Sequence, residues 1–327
     1  MKVFLTGASG VLGHRLVERL ADRGHDVYGL VRDEAGSDIV TARGGTPRRG
    51  DVLDRNSLER AVPDVDILVH AATSIPTATK PAEEAWKQND RVRYDGIKNL
   101  VSVAGDRIDQ ICFPSVVWVA RQPDGTRFNE TADQYPDRTS RSAAAVEEYL
   151  NDASDNEEFD PTILRCGFFY APDAAHTRQF GQSLLSRDLP VVGRGVLGRE
   201  DARLSFLHAD DAAHAFATAI DAEVSGTYHV VDDQPATFAE FLETLTTKLN
   251  APRPYRLPAW LARYFIGAEN TNLLSKSMPT SNDRFHDATG WEPMYPTYQD
   301  GLSQVVSTWL NNGILRETDT GYTWVNE

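Results

Sequence analysis

Hydrophobic positions along the first half of the chain follow two alternating periodicities. Short apolar runs with polar flanks predict strands at residues 2–6, 26–31, 66–72, 110–119 and 162–169. Between them, apolar residues recur every three or four positions, which predicts helices over 11–23, 83–104 and 140–151. Strand and helix in alternation predict an α/β fold, a Rossmann-type doubly wound parallel sheet. Beyond residue 170 the alternation loosens. Helical spacing over 172–187, 238–249 and 258–265, with one strand-like run at 227–231, predicts a smaller C-terminal lobe. The expected division is a Rossmann-type domain over 1–170 and a lobe over 171–327, with residues 203–231 returning to the sheet. The tail 314–325, with Asp319-Thr320-Gly321 at its middle, reads as a hairpin. No internal repeat or low-complexity stretch is present.

The first predicted strand runs into Thr6-Gly7-Ala8-Ser9-Gly10-Val11-Leu12-Gly13, and a helix follows at once. That context gives a glycine-rich loop its meaning. Gly7 permits a tight turn, Gly10 lets the backbone approach a pyrophosphate, and Gly13 lets the helix pack against the strand. The free N–H groups of the helix start then face the phosphates. Ser9, Val11 and Leu12 complete the predicted contact set. An acid at the end of the second strand would hold a ribose 2′-hydroxyl, but the residue there is Val31. Arg32 follows and is suited to a 2′-phosphate, which favours NADP; Asp33, one residue on, leaves NAD open.

These motifs resemble the extended and atypical short-chain dehydrogenase/reductases of the NAD(P)-dependent epimerase/dehydratase group. The three-residue gap between Gly7 and Gly10 is similar to theirs. So are Gly50-Asp51-Val52-Leu53-Asp54, His70-Ala71-Ala72, Arg165 to Pro172, Ser205 to Ala213, Tyr228 to Pro235 and Gly290 to Tyr298. The resemblance implies that Asp51 and Val52 meet the adenine and that Ala71 and Ala72 lie along the cofactor. Thr73, Phe169, Arg178 and His208 would then face the substrate, and the smaller C-terminal lobe would be the substrate lobe. It also implies an acid/base tyrosine with a lysine four residues later, and a serine that orients the substrate oxygen. Ser115 stands at the serine's place. The other two positions carry Thr139 and Ala143, and no lysine occurs between Lys98 and Lys248. An aliphatic hydroxyl does not ionise near neutral pH, so the usual proton relay is absent. Tyr170 is the nearest replacement acid by the same resemblance, with His208 beside it.

Charge narrows the partners. The chain of 327 residues carries 33 Lys and Arg against 48 Asp and Glu, a net charge of −15. Only six of the cations are lysine. Such an acidic, lysine-poor surface resembles that of halophilic cytosolic proteins, whose self-repulsion is screened by salt. It opposes binding to nucleic acid and to anionic membranes. No apolar run reaches membrane-spanning length, and the chain opens on a strand, which predicts a cytoplasmic protein. Cys112 and Cys166 lie in apolar runs, so neither a disulfide nor a metal site is expected. A monomer or homodimer acting on a small molecule fits this composition. Two functions follow. One is an NAD(P)-dependent oxidoreductase or epimerase/dehydratase-like enzyme with a non-standard acid/base group, acting on a carbonyl, sugar or lipid precursor. The other is a non-enzymatic NAD(P)-binding redox sensor.

Overall fold

The computed structural model describes residues 1–78, 80–154, 159–188, 191–192, 201–254, 256–257, 259–319 and 321–325. Its centre is a parallel sheet of seven strands: β1 (Lys2–Thr6), β2 (Asp26–Val31), β3 (Thr46–Arg49), β4 (Ile67–His70), β5 (Gln110–Val116), β6 (Asp160–Cys166) and β7 (Gly226–Val230). Their order is β3-β2-β1-β4-β5-β6-β7. Side chains alternate across it. Val3 and Leu5 enter one core and Phe4 the other, as the two-residue repeat of a strand buried on both faces requires.

The helices are α1 (Gly13–Asp22), α2 (Glu34–Ala42), α3 (Arg55–Ala61), α4 (Glu83–Ala104), α5 (Arg141–Ser154), α6 (Ala175–Leu185), α7 (Ala209–Asp221), α8 (Phe238–Lys248), α9 (Ala259–Ser275), α10 (Asp283–Thr289) and α11 (Tyr298–Asn311). Apolar residues of α1, α2 and α7 join the core on the Leu5 face; those of α3, α4 and α5 join the core on the Phe4 face. Of the later elements, α10 packs on the sheet through Phe285, in the Leu5-face core, while α6, α8, α9 and α11 follow with an antiparallel hairpin of Leu315–Thr318 and Gly321–Trp324.

β3 escapes sequence reading because Thr46-Pro47-Arg48-Arg49 has no apolar run. It lies at the sheet edge, where a strand tolerates proline. The run at 162–169 divides in two. β6 ends at Cys166, and Phe168–Tyr170 pairs instead with Phe206–His208. Gly167 makes the break possible, since a Cβ there would lie 2.7 Å from the Ser205 carbonyl oxygen. Cys112 and Cys166 are free and buried. Among the described residues no helix is long and apolar enough to cross a membrane.

One polar clamp ties the halves together. Arg15, in the first turn of α1, donates to Asp173 through Nη1 at 2.9 Å and Nη2 at 2.6 Å. Its Nε donates to Asp210 at the start of α7. His14 adds a 2.9 Å contact to the same Asp173 carboxylate. Partial burial alone would raise that carboxyl, yet its hydrogen bonds with His14 and Arg15 hold it well below the usual carboxylate range.

Candidate active site

Strand order reverses between β1 and β4, and in open α/β sheets the C-terminal ends of the strands at such a reversal border the ligand crevice. Gly7 there has φ +70°, and a Cβ on it would sit 2.7 Å from the backbone of Ala71 and Ala72. A Cβ on Gly13 would sit 2.0 Å from the Gly7 carbonyl oxygen. Gly10 differs. It is exposed, and its Cβ would approach only the Gly7 oxygen, at 3.2 Å. Gly7 and Gly13 therefore hold the loop's shape, while Gly10 keeps its outer face clear beside exposed Ser9 and half-buried Val11. Leu12 turns into the core. The start of α1 leaves its first N–H groups without intrahelical acceptors. This cradle fits a dinucleotide's pyrophosphate.

Behind the loop runs a chain of hydrogen bonds. Ala72 N–H donates to Thr6 Oγ1 at 3.3 Å, and Thr6 Oγ1 lies 2.8 Å from His70 Nδ1. His70 Nε2 lies 3.0 Å from the Arg93 carbonyl oxygen. A carbonyl only accepts, so Nε2 carries the proton and Nδ1 accepts from Thr6. Burial pushes His70 down to about 4, and its ring stays neutral.

At the outer end of the crevice, Val31 is buried and closes β2, and Arg32 is exposed. Among the described residues Arg32 has no hydrogen bond or ion pair. The Asp33 carboxylate caps α2 by accepting from Gly36 N–H at 2.9 Å. Asp51 is exposed, and its carboxylate accepts from Leu53 N–H at 2.9 Å; the Val52 carbonyl accepts from Asn99 at 3.0 Å. Ala71 and Ala72 are half-buried, and Thr73 is exposed at the mouth.

The chemistry end departs from expectation. Thr139 is buried just before α5; its hydroxyl donates to Asp137 at 2.7 Å and accepts from Trp118 Nε1 at 3.1 Å. Ala143 is fully buried in the core. Ser115, expected to orient a substrate, does not present its hydroxyl to the crevice. It donates to the Glu147 carboxylate, which also takes Arg165 at 2.7 Å and Gln134 at 2.9 Å. Ser115, Glu147 and Arg165 are each at most 4% exposed. They form a buried ionic cluster between β5, β6 and α5.

Tyr170 is also corrected. It is fully buried among Phe206, Phe241 and His208, and its hydroxyl points at Gly301, where even a Cβ would collide. Burial, with the nearby Asp232 carboxyl, holds that hydroxyl well above the ordinary tyrosine range. No part of its side chain is open to solvent. His208 is a core histidine for similar reasons. It is fully buried, its Nδ1 caps α7 by accepting from Asp210 N–H, and its Nε2 faces Gln304 at 3.1 Å. Burial depresses it to about 4. Arg178 lies over the Trp324 ring at 5.9 Å, engaged with the C-terminal hairpin. Phe169 is half-buried, with its carbonyl accepting from His176 Nε2 at 2.6 Å.

A different set of side chains lies under the loop that follows β4. Trp86, Asn89 and Arg93 occupy one stripe of α4 and are 6%, 1% and 3% exposed. Asn89 Oδ1 accepts from Ser74 N–H at 3.0 Å, which anchors that loop. No periodicity argument singles these residues out, because polar groups at core spacing on a helix look like ordinary amphipathic breaks.

A model of the NAD dependent epimerase/dehydratase family matches residues 3–231. The chain belongs to that family. Over 93% of its own length and 100% of the relative's, it is 33% identical to a 3-diazoavenalumate denitrifying reductase from a Streptomyces species. The family's fold is equally plain in solved structures. A UDP-glucose 4-epimerase from Thermus thermophilus, in complex with NAD, has a TM-score of 0.78 at 24% identity, covering 95% of this chain and 99% of that one. A human epimerase family protein with NADPH has a TM-score of 0.77 at 18% identity, covering 94% and 99%.

Proposed function

We propose that this protein is an NADP-preferring reductase whose acceptor needs hydride but no proton from the enzyme. The observation that carries this reading is the fate of the acid/base positions. Thr139 is a non-ionising hydroxyl engaged by Asp137 and Trp118, and Ala143 is a buried methyl. Ser115 is committed to Glu147, and Tyr170 is sealed in the core. No group that protonates an alkoxide stands at the positions where the family's relay is expected.

Gly7, Ser9, Gly10, Val11 and Gly13 would cradle the pyrophosphate, Ala71 and Ala72 would leave room beside it, and Asp51 and Val52 would border the adenine. Arg32 supports the choice of NADP, because its fork is free among the described residues while Asp33, the acid that would favour NAD, is spent on a helix cap. A bound nicotinamide supplies hydride, and an aryl diazonium that accepts it becomes an arene and dinitrogen without any proton transfer. The 33% identical relative is named as a denitrifying reductase of a diazo compound, which supports an acceptor of this class here. The protein's part is then to bind, orient and exclude water.

The test is oxidation of NADPH by the purified protein with an aryl diazonium carboxylate, beside simple ketones and UDP-glucose. Dinitrogen release, with deuterium from deuterated NADPH on the arene carbon, is the expected result. Rapid turnover of the ketones would overturn the reading. Tight NADPH binding with no turnover of any acceptor would favour a redox sensor instead.

A further inference from the structure

The three unpaired groups on α4 share one chemical character. Trp86 Nε1, Asn89 Nδ2 and Arg93 Nε are all N–H donors, all buried, and none has an acceptor among the described residues. They sit at positions i, i+3 and i+7, so they line one face of the helix. Asn89 is oriented by its own hydrogen bond. Its Oδ1 is taken by Ser74 N–H, which turns the amide nitrogen the other way. Ser142 Oγ on neighbouring α5 is a fourth buried polar atom without a partner among the described residues.

Arg93 makes the arrangement unusual. A guanidinium 3% exposed ordinarily has a carboxylate beside it. The nearest carboxylate on its own helix, Asp90, is already held by Arg138 at 3.0 Å and Arg141 at 2.9 Å. Burial pushes Arg93 down only to about 10, so the cation persists at neutral pH. The other buried arginines among the described residues show what satisfaction looks like: Arg165 has Glu147 at 2.7 Å, Arg121 has Asp137 at 2.7 Å and Arg15 has Asp173 at 2.6 Å. A buried cation whose Nε has no acceptor among the described residues, flanked by two further such donors and influenced only at a distance by Asp90, is complementary to an oxyanion.

Position narrows the occupant. The stripe lies beneath the loop that follows β4, and the Arg93 carbonyl accepts from His70 at the C-terminal end of that strand. It therefore lies beside the C-terminal end of β4, and His70 in turn connects that end to Thr6, just before the phosphate loop. We propose that Trp86, Asn89 and Arg93 bind the carboxylate of the hydride acceptor. They would fix its position in a protein whose net charge of −15 otherwise repels anions. This rests on the reductase reading for the identity of the crevice, and on the three donors for the anion.

Calorimetry tests it with three probes: NADPH, benzoate and inorganic phosphate, each alone and benzoate also with NADPH present. The proteins are the unmodified chain, Arg93→Gln and Asn89→Asp. The expected result is that Arg93→Gln weakens benzoate about tenfold or more, as loss of a charge-assisted pair implies, with NADPH affinity little changed. Asn89→Asp supplies the stripe with its own carboxylate. It should abolish benzoate binding and raise the melting temperature, an outcome that is readable even if Arg93→Gln fails to fold. Three results would overturn the proposal. One is an unmodified protein that binds NADPH but neither benzoate nor phosphate. Another is benzoate affinity unaffected in both variants. The third is an Arg93→Gln variant that loses NADPH affinity in place of benzoate, which would assign the donors to a cofactor phosphate. Failure of NADPH to bind the unmodified protein would refute the reductase reading instead, and is separately visible.

Discussion

The Thr6 hydroxyl donates to Nδ1 of His70 across 2.8 Å, joining the residue before the phosphate loop to the end of the neighbouring strand. Both ring nitrogens of His70 are used, one as acceptor and one as donor to Arg93. A second ring proton would face the Thr6 donor in a buried site.

Acid should therefore act through this ring. Its folded-state value is lowered from 6.5 to about 4, so the unfolded chain takes up a proton first. Its stabilising contribution is complete above the unfolded value and is lost as pH falls through the folded one, by up to about 3 kcal/mol. His208 and His229, lowered to about 4 and about 3, act in the same direction. Asp211, raised to about 7 by burial, acts oppositely: its contribution is present in acid and fades as pH rises through that value. Urea unfolding of His70→Asn and of the unmodified protein isolates the ring. The variant should show a shallower loss of stability between about pH 6.5 and pH 4.

The glycines of the loop should separate folding from binding. Gly13→Ala places a methyl 2.0 Å from the Gly7 carbonyl and should lower the melting temperature sharply. Gly10→Trp projects from an exposed position, so the fold should survive while NADPH binding disappears. Melting curves with calorimetry on both variants check this; full NADPH affinity in Gly10→Trp would refute the placement of the pyrophosphate.

Coenzyme choice should follow Arg32 alone. Arg32→Ala should weaken NADPH about tenfold or more while NADH changes little. Asp33→Ala should cost about 1 kcal/mol of stability through the lost cap and leave the preference unchanged. Titration of both variants with both coenzymes decides the matter.

Ser115 should behave as part of the core. Ser115→Ala removes a buried donor from Glu147 and should cost about 1–3 kcal/mol of stability, with turnover of a diazonium acceptor at a saturating concentration nearly unchanged. Thr139→Val should likewise spare that rate. A large fall in turnover in either, at full folding, would return a hydroxyl to the chemistry.

If the acidic surface carries salt adaptation, the melting temperature should climb steeply as molar KCl screens its repulsion. A flat response would mark an ordinary acidic protein.

The sheet is legible in the sequence wherever burial on both faces leaves an uninterrupted apolar run. Lys2–Thr6 and Asp26–Val31 are read with their true bounds, as is the long helix Glu83–Ala104. Short polar elements are not legible. β3 is set by its edge position, and α2 and α3 are started by the side-chain caps of Asp33 and Asp54. The phosphate loop can be read because glycine there answers a local backbone demand. The chemistry end cannot, because its residues are defined by partners far away in sequence. Ser115 looks like a substrate contact until Glu147, 32 residues on, takes its proton. Tyr170 looks like an acid until Gly301 closes over it.

The clamp from Arg15 to Asp173 and Asp210 bears on how the chain is made. It spans 158 and 195 residues, and β6 has its outer neighbour only in β7, at Gly226–Val230. During synthesis the phosphate loop and five strands can be complete long before these partners exist. Until then α1 lacks α7, and β6 is an open edge with apolar Ile163 and Leu164 beside it. The expectation is that the first 170 residues depend on the later ones for a closed sheet edge and for the α1 clamp. A fragment ending near residue 170 should expose that edge and self-associate, and stable closure of the cofactor crevice awaits the emergence of residues beyond Val230.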